Sequence, residues 1–314
     1  MSEISPAPDL PQPGDQQPNH QEHGVAVDPI DLIRMLALER IEVNLFRGHG
    51  PKDNGDHFFG GHVIAQALLA AYETVPDRVC HSLHAYFIRP GNVHIPVLYE
   101  VDRARDGGSF TTRRVTAIQN GEQIFNLAAS FQVAREGLEH QFTMPDVPPP
   151  DSVPDELTEM MARADKVPPR ALEHMKRPRP IEIRWVQGSP FSPRRVKADR
   201  KQTWMRAKAP IGPDIHLQQA LLAYASDMAF METALRAHGI NWQTKGLQSA
   251  SLDHAMWFHQ PFDFNDWILF DQDSPSTSQG RGLVRGQMYT ASGVLAASVA
   301  QECLMYIRPP KPEA

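Results

Sequence analysis

The chain has 314 residues, 41% of them hydrophobic, and a formal net charge of −6. That length buries one large core or two modest ones, and the acidic balance excludes nucleic acid as the main partner, because phosphate backbones need a clustered positive face. Only two cysteines occur, Cys80 and Cys303, without CxxC spacing. This excludes a disulfide framework and fits a reduced compartment, so a cytoplasmic location is expected.

The opening stretch "MSEISPAPDLPQPGDQQPNHQEHGVAV" has neither a basic start nor an apolar run. It reads as a disordered tail over 1–27 rather than a signal peptide. No segment approaches the roughly twenty apolar residues of a membrane span.

A first domain is expected over 28–135. "DPIDLIRML" opens it as a helix, with Asp28 as N-cap and Pro29 at the first helical position. "ERIEVNLFR" alternates Ile41, Val43 and Leu45 at strand period. "FFGGHVIAQALLAAYETV" carries a long helix, "HSLHAYFIRPG" and "VLYEVDRARDGG" read as strands, and Asn120-Gly121 is a hairpin signal. Positions 136–180 change texture, with "MPDVPPPDSVPDE" and "KRPRPIE" marking a linker that holds one short helix at "ELTEMMARAD".

The same order then restarts in a second domain over 181–314. "TWMRAKA" reads as a strand, and "IHLQQALLAYASDMAFMETALRAHGI" as a single helix with Leu217, Leu221, Tyr224, Met228, Met231 and Leu235 on its apolar stripe. "QALLAAY" (66–72) and "QALLAYA" (219–225) are near copies. "LQSASLDHAMWFHQPF" answers "HSLHAYFIRPG", and a hairpin around Ser292-Gly293 answers Asn120-Gly121. The chain is therefore a tandem duplication of an α+β unit, one helix wrapped by an antiparallel sheet. Each copy alone would leave a sheet edge bare, so edge-to-edge pairing of the two is expected.

Read from pattern alone, few residues declare a chemistry. Asp227 borders the apolar helix stripe, where an unpaired charge is costly, and Gln301 sits in an apolar strand row with Val299, Cys303 and Met305. Each reads equally as a structural polar group satisfied by neighbours. The histidines at 57, 62, 81 and 84, and the pair His254 and His259, lack zinc spacing and read as core or solvated side chains. No GxSxG elbow, P-loop or dinucleotide fingerprint is present.

The segments "FGGHVIAQALLAAYETVPD", "RDGGSFTTRRVTAIQNGEQIFNLAASFQ", "LLAYASDM", "SLDHAMWFHQPF" and "GVLAASVAQE" closely resemble the acyl-CoA thioesterase II family, from about Arg40 to Tyr306. The resemblance implies a double hotdog fold and hydrolysis of fatty acyl-CoA to free acid and CoA. It further implies a catalytic group of Asp227 in "YASDM", Ser251 in "SLDH" and Gln301 in "VAQE". The family carries Thr or Ser at the hydroxyl position, and Ser251 keeps the hydrogen-bonding group while losing a methyl.

Gly60, Gly61 and His62 are candidate substrate contacts at a helix start, where backbone N–H groups attract a developing oxyanion, although a tight strand-to-helix turn explains the glycines equally. Arg113 and Arg285 are candidate partners of the CoA phosphates, against a bland reading as solvated strand charges. Met228 and Met231 are candidate lining for the acyl chain, or plain core.

Aligned on the repeat, Thr74, Cys80 and Ala129 stand opposite Asp227, Ser251 and Gln301, so one active site per chain is expected. No cofactor or metal is expected, and a homo-oligomer, dimer or tetramer, follows from the resemblance only. The alternatives are a non-catalytic acyl-CoA binding or sensing module and a hotdog hydratase or dehydratase.

Overall fold

The computed structural model describes residues 29–51, 56–162, 180–188, 197–242 and 244–308. The expected tail, the Asp28 cap, positions 163–179 of the linker and the last six residues lie outside the described residues. The first half runs α1 (Pro29–Leu36), β1 (Glu39–Glu42), β2 (Leu45–Gly48), α2 (Gly60–Tyr72), β3 (Val79–Phe87), β4 (Val97–Asp106), β5 (Phe110–Gln119) and β6 (Glu122–Gln132). After the short helix α3 (Glu156–Met161), the second half runs β7 (Ile181–Trp185), β8 (Arg200–Ala207), α4 (Ile215–Ser226) and α5 (Glu232–Ala237). It closes with β9 (Leu247–Ser251), β10 (Asp253–Phe258), β11 (Ile268–Ser278), β12 (Arg281–Thr290) and β13 (Leu295–Ile307).

Among the described residues the thirteen strands form one antiparallel sheet in the order β1-β2-β4-β5-β6-β3-β10-β13-β12-β11-β8-β7, with β9 pairing β13 off this path. The two halves join where β3 meets β10, with Leu83 opposite Met256 and Ala85 opposite His254. This is the expected edge-to-edge pairing, and each copy covers the other's open edge. At the first hairpin Asn120 (φ 50°) and Gly121 (φ 77°) both take the left-handed conformation that a two-residue turn of matching twist requires. Among the described residues no helix is long and apolar enough to cross a membrane.

The two long helices run antiparallel against each other. Gly61 at the start of α2 meets the end of α4, while Tyr72 at the end of α2 stacks on His216 at the start of α4, 3.9 Å between ring centroids. Nearly every residue of α2 is buried, as the absence of a polar face in "GGHVIAQALLAAY" requires.

Three local expectations are corrected. "ERIEVNLFR" is a two-strand hairpin, β1–β2, and not one strand: Val43 is half exposed, and the Asn44 carbonyl accepts from the Val101 N–H. "LQSASLDHAMWFHQPF" is β9 and β10, divided at Leu252, whose N–H donates to the Glu302 carbonyl.

The third correction places the site. The apolar stripe from Leu217 to Leu235 reads as one helix, but α4 ends at Ser226 and Ala229 takes φ +54°, a conformation that an alanine adopts at a cost of about 1 kcal/mol or more. The break is held from outside the helix. The Lys201 ammonium donates to the Ala229 carbonyl at 2.6 Å and pairs with Glu232 at 3.1 Å, both side chains being almost wholly buried. Helical periodicity cannot report a bond made by a strand residue.

Removing one partner of a buried pair strands the other charge. Lys201→Met is therefore expected to destabilise the fold by about 3–5 kcal/mol, read from the denaturant midpoint. Adding Glu232→Gln to that variant is expected to restore part of the loss.

Candidate active site

Asp227 is the C-cap of α4, with φ −85° and ψ −9°, and its carboxylate leaves the helix end toward the start of α2. The Gly61 N–H donates to its Oδ2 at 2.9 Å. Helix α2 has Phe59 at its N-cap, with no side-chain cap of its own and no acidic residue in its first turn. The other repeat thus supplies the anion that the free N–H groups and the dipole of α2 attract.

Gly60 and Gly61 are there for closeness rather than for a turn, since neither has a positive φ. A Cβ on Gly60 would lie 2.7 Å from Asp227 Oδ2, and one on Gly61 would lie 2.3 Å from the Tyr224 carbonyl oxygen. Neither approach tolerates an additional methyl group without movement.

Ser251 ends β9 and Gln301 lies in β13, where inward positions alternate through Val299, Gln301 and Cys303. Gln301 Nε2 donates to Ser251 Oγ at 3.0 Å, and both side chains hydrogen-bond the Asp227 carboxylate. The three residues named from the sequence therefore converge, although they come from a helix end and two strands. Burial dominates the electrostatics. It lifts the Asp227 pKa from 3.8 to about 7, against the lowering pull of the Gly61, Gln301 and Ser251 donors.

Behind Gln301 stands a residue that the sequence reading left as a core or solvated histidine. His254 is wholly buried, with Nδ1 at 2.7 Å from Gln301 Oε1 and Nε2 at 2.9 Å from Ser226 Oγ. Burial lowers its pKa to about 4, so the ring is neutral at physiological pH. Its only sequence signal was its place next to Asp253 in "SLDH", which does not specify a partner.

Other expected contacts fall elsewhere. The Gly61 N–H is committed to Asp227, so it is not a free oxyanion donor. His62 points away from the group: it is 1% exposed, its Nε2 contacts the His49 carbonyl at 3.0 Å, and burial lowers its pKa to about 4. Its role is to fasten α2 to the loop after β2.

Arg113 does not reach solvent. It is 1% exposed, and its guanidinium is occupied by Thr74, the Arg105 and Thr112 carbonyls, and Asp106 at 2.6 Å. A buried and fully engaged guanidinium is not available to phosphates. Arg285 is accessible, with two of its nitrogens on Asp273 at 3.0 Å each. Met231 is buried, and Met228 packs against the same core.

The matching corner of the first repeat is closed. Thr74, opposite Asp227 in the repeat, donates to the Ala71 carbonyl and accepts from Arg113 Nε at 2.7 Å. Tyr72 bonds Gln219 and receives the Cys80 N–H. A separate open hollow of about 450 Å³, lined by His140, Phe142, His259, Gln287 and Ser298 among others, shares no residue with the Asp227 network. It lies on the face of β13 opposite Gln301, since 298 and 301 alternate.

Two family descriptions match, an acyl-CoA thioesterase N-terminal domain over residues 49–132 and acyl-CoA thioesterase over 175–304. Acyl-coenzyme A thioesterase 8 of Homo sapiens is 41% identical over 287 residues, covering 88% of this chain and 89% of its own. The chain belongs to the acyl-CoA thioesterase family. Acyl-CoA thioesterase 2 of Haemophilus influenzae is 39% identical, across 88% of this chain and 96% of its own. A crystal structure of an acyl-CoA thioesterase II from Mycobacterium marinum superposes with a TM-score of 0.73 at 40% identity, covering 88% and 98% of the two chains. A hot dog fold protein from Alicyclobacillus acidocaldarius, at 24% identity and TM-score 0.71 over 89% and 99%, shares the architecture. This thioesterase family chain is therefore a tandem hotdog, as its repeat implies.

Proposed function

We propose that the protein hydrolyses fatty acyl-CoA thioesters to the free acid and CoA, with Asp227 as general base toward a water held by Ser251 and Gln301. The observation that carries this reading is one buried carboxylate, its pKa raised to about 7, that gathers donors from both repeats. Relatives named acyl-CoA thioesterases, near 40% identical over most of the chain, support the substrate class.

The steps balance without a covalent enzyme intermediate. Asp227 takes a proton from the water as its oxygen attacks the thioester carbonyl, giving a tetrahedral oxyanion. Collapse breaks the carbon–sulfur bond, and the proton on Asp227 passes to the departing thiolate. A carboxylate with a pKa near 7 is a far stronger base than an exposed one and remains half ionised at neutral pH. Arg285 is the proposed phosphate contact, and Met228 and Met231 are proposed to flank the acyl chain.

Following CoA release from palmitoyl-CoA with a thiol reagent tests the reading. Tight binding without release would instead identify a sensing module. Because only ionised Asp227 accepts a proton, kcat/KM is expected to rise about tenfold per pH unit below about 7 and to level off above it. A flat profile from pH 5 to 8 would remove Asp227 from the base role.

Titration with a tight, non-hydrolysable substrate analogue is expected to saturate at one equivalent per chain, since Thr74 and Arg113 replace the carboxylate in the first repeat. Two equivalents would reject the single-site reading.

A further inference from the structure

Five side chains, the proposed base among them, form a continuous hydrogen-bonded chain whose two ends, Ser226 and Asp227, are sequence neighbours. It passes from Ser226 to His254 at 2.9 Å, from His254 to Gln301 at 2.7 Å, and from Gln301 to Ser251 at 3.0 Å. Ser251 and Gln301 then both bond Asp227, the neighbour of Ser226 in sequence. The His254 ring is 0% exposed, lies edge-on to Phe230 at 6.2 Å, and is carried by β10 where the two halves of the sheet meet.

With Asp227 ionised, donor and acceptor capacity sets the direction of the bonds from Asp227 back to His254. An ionised carboxylate only accepts, so Gln301 must turn its NH₂ toward Asp227 and Ser251. Its Oε1 then faces the histidine and requires a donor, which is Nδ1–H. A neutral imidazole carries one N–H, so Nε2 is an acceptor and takes the Ser226 hydroxyl proton. The Ser226 hydroxyl also lies 2.8 Å from the Ala223 carbonyl. Its single proton serves only one of the two: placed on the Nε2 side it completes the Nδ1–H form of the ring, whereas a bond to Ala223 goes with a proton on Nε2. The reversed orientation, with Oε1 turned toward the carboxylate, sets two acceptors face to face unless Asp227 is protonated.

We infer that His254 is a positioning residue for hydrolysis: as the Nδ1–H form it locks the Gln301 amide so that its NH₂, and not its oxygen, faces Ser251, Asp227 and the water between them. This rests on the proposed Asp227, Ser251 and Gln301 roles. A glutamine amide without such a partner turns over at little cost, and half of its orientations would present an oxygen to the base. The lock acts on turnover rather than on substrate binding, because His254 itself has no path to solvent.

Steady-state CoA release from palmitoyl-CoA by the full chain tests the lock. His254→Leu is expected to lower kcat about 10- to 100-fold with KM changed less than about threefold. His254→Asn sets an amide N–H where Nδ1–H stood and is expected to remain within about fivefold of wild type. In a Gln301→Ala background, His254→Leu is expected to cause no further loss, because the amide it orients is gone.

Equal losses in the Leu and Asn variants, or losses that multiply in the double variant, would assign His254 to packing alone and overturn the inference. If Gln301→Ala keeps wild-type kcat, the site reading itself fails and takes the lock with it. If Gln301→Ala is impaired and His254→Leu is not, only the lock fails. Should the histidine variants not fold, ¹⁵N resonances of histidine-labelled wild type at pH 8 decide: a protonated Nδ1 on the buried ring supports the lock, and a protonated Nε2 rejects it.

Discussion

Asp227→Asn is expected to lower kcat on the order of 10³-fold while making the protein more stable at pH 8. The two effects share one cause. The carboxylate is 8% exposed, and burial raises its pKa from 3.8 to about 7. The asparagine keeps the size of the side chain and an oxygen to accept the Gly61 N–H, but it cannot take a proton from water. Activity therefore falls without loss of the helix contact.

The sign of the stability effect follows from proton uptake. Below pH 3.8 the carboxyl is neutral in both folded and unfolded chains. Between that value and about 7 the folded state holds a proton that the unfolded chain has released, so stability declines as pH rises. Above about 7 the folded protein carries the full cost of a desolvated charge, a few kcal/mol for a shift of this size. The gain in Tm for Asp227→Asn should thus be largest at pH 8 and absent at pH 3.5, which thermal unfolding at the two pH values checks. A variant that loses activity but is destabilised at pH 8 would mean that Asp227 is chiefly a structural cap.

The second large effect is expected at a residue with no side chain. A Cβ on Gly61 would meet the Tyr224 carbonyl oxygen at 2.3 Å, roughly 1 Å inside ordinary contact. The obstacle is backbone of α4, so the two helices must separate, and the Gly61 N–H moves away from Asp227 with them. Overpacking of this kind costs about 1–3 kcal/mol, and a displacement of about 1 Å at a catalytic group costs about 10²-fold in rate. Gly61→Ala is expected to show both, by denaturant midpoint and by kcat. Gly108→Ala, where an added Cβ meets nothing within 4 Å, is the matched control and should leave both unchanged. Wild-type kcat in Gly61→Ala would show that the Gly61 bond does not hold the base in place.

Much of the fold was legible because the duplication made each element its own check. Strand alternation, the Asn120-Gly121 turn and the apolar run of α2 are local signals, and each occurs in both copies at the same place. Asp227, Ser251 and Gln301 were named through the family motifs; the apolar rows around Asp227 and Gln301 showed only that these polar groups needed partners. The Arg113 expectation failed because an arginine between strand residues looks alike whether it points to water or to Thr74.

By itself the amino-acid order determined the tandem α+β architecture, the pairing of two copies through a shared edge, and the loss of the polar group from the first copy. These follow from periodicity and from residue identity, which act over a few positions along the chain. The tertiary structure alone decided that the second helix breaks after Ser226, that Gly61 of one repeat meets the Asp227 carboxylate of the other, and that His254 stands behind Gln301. Each of those depends on atoms brought within about 3 Å from distant positions, and hydrogen bonding at that range leaves no period in the sequence.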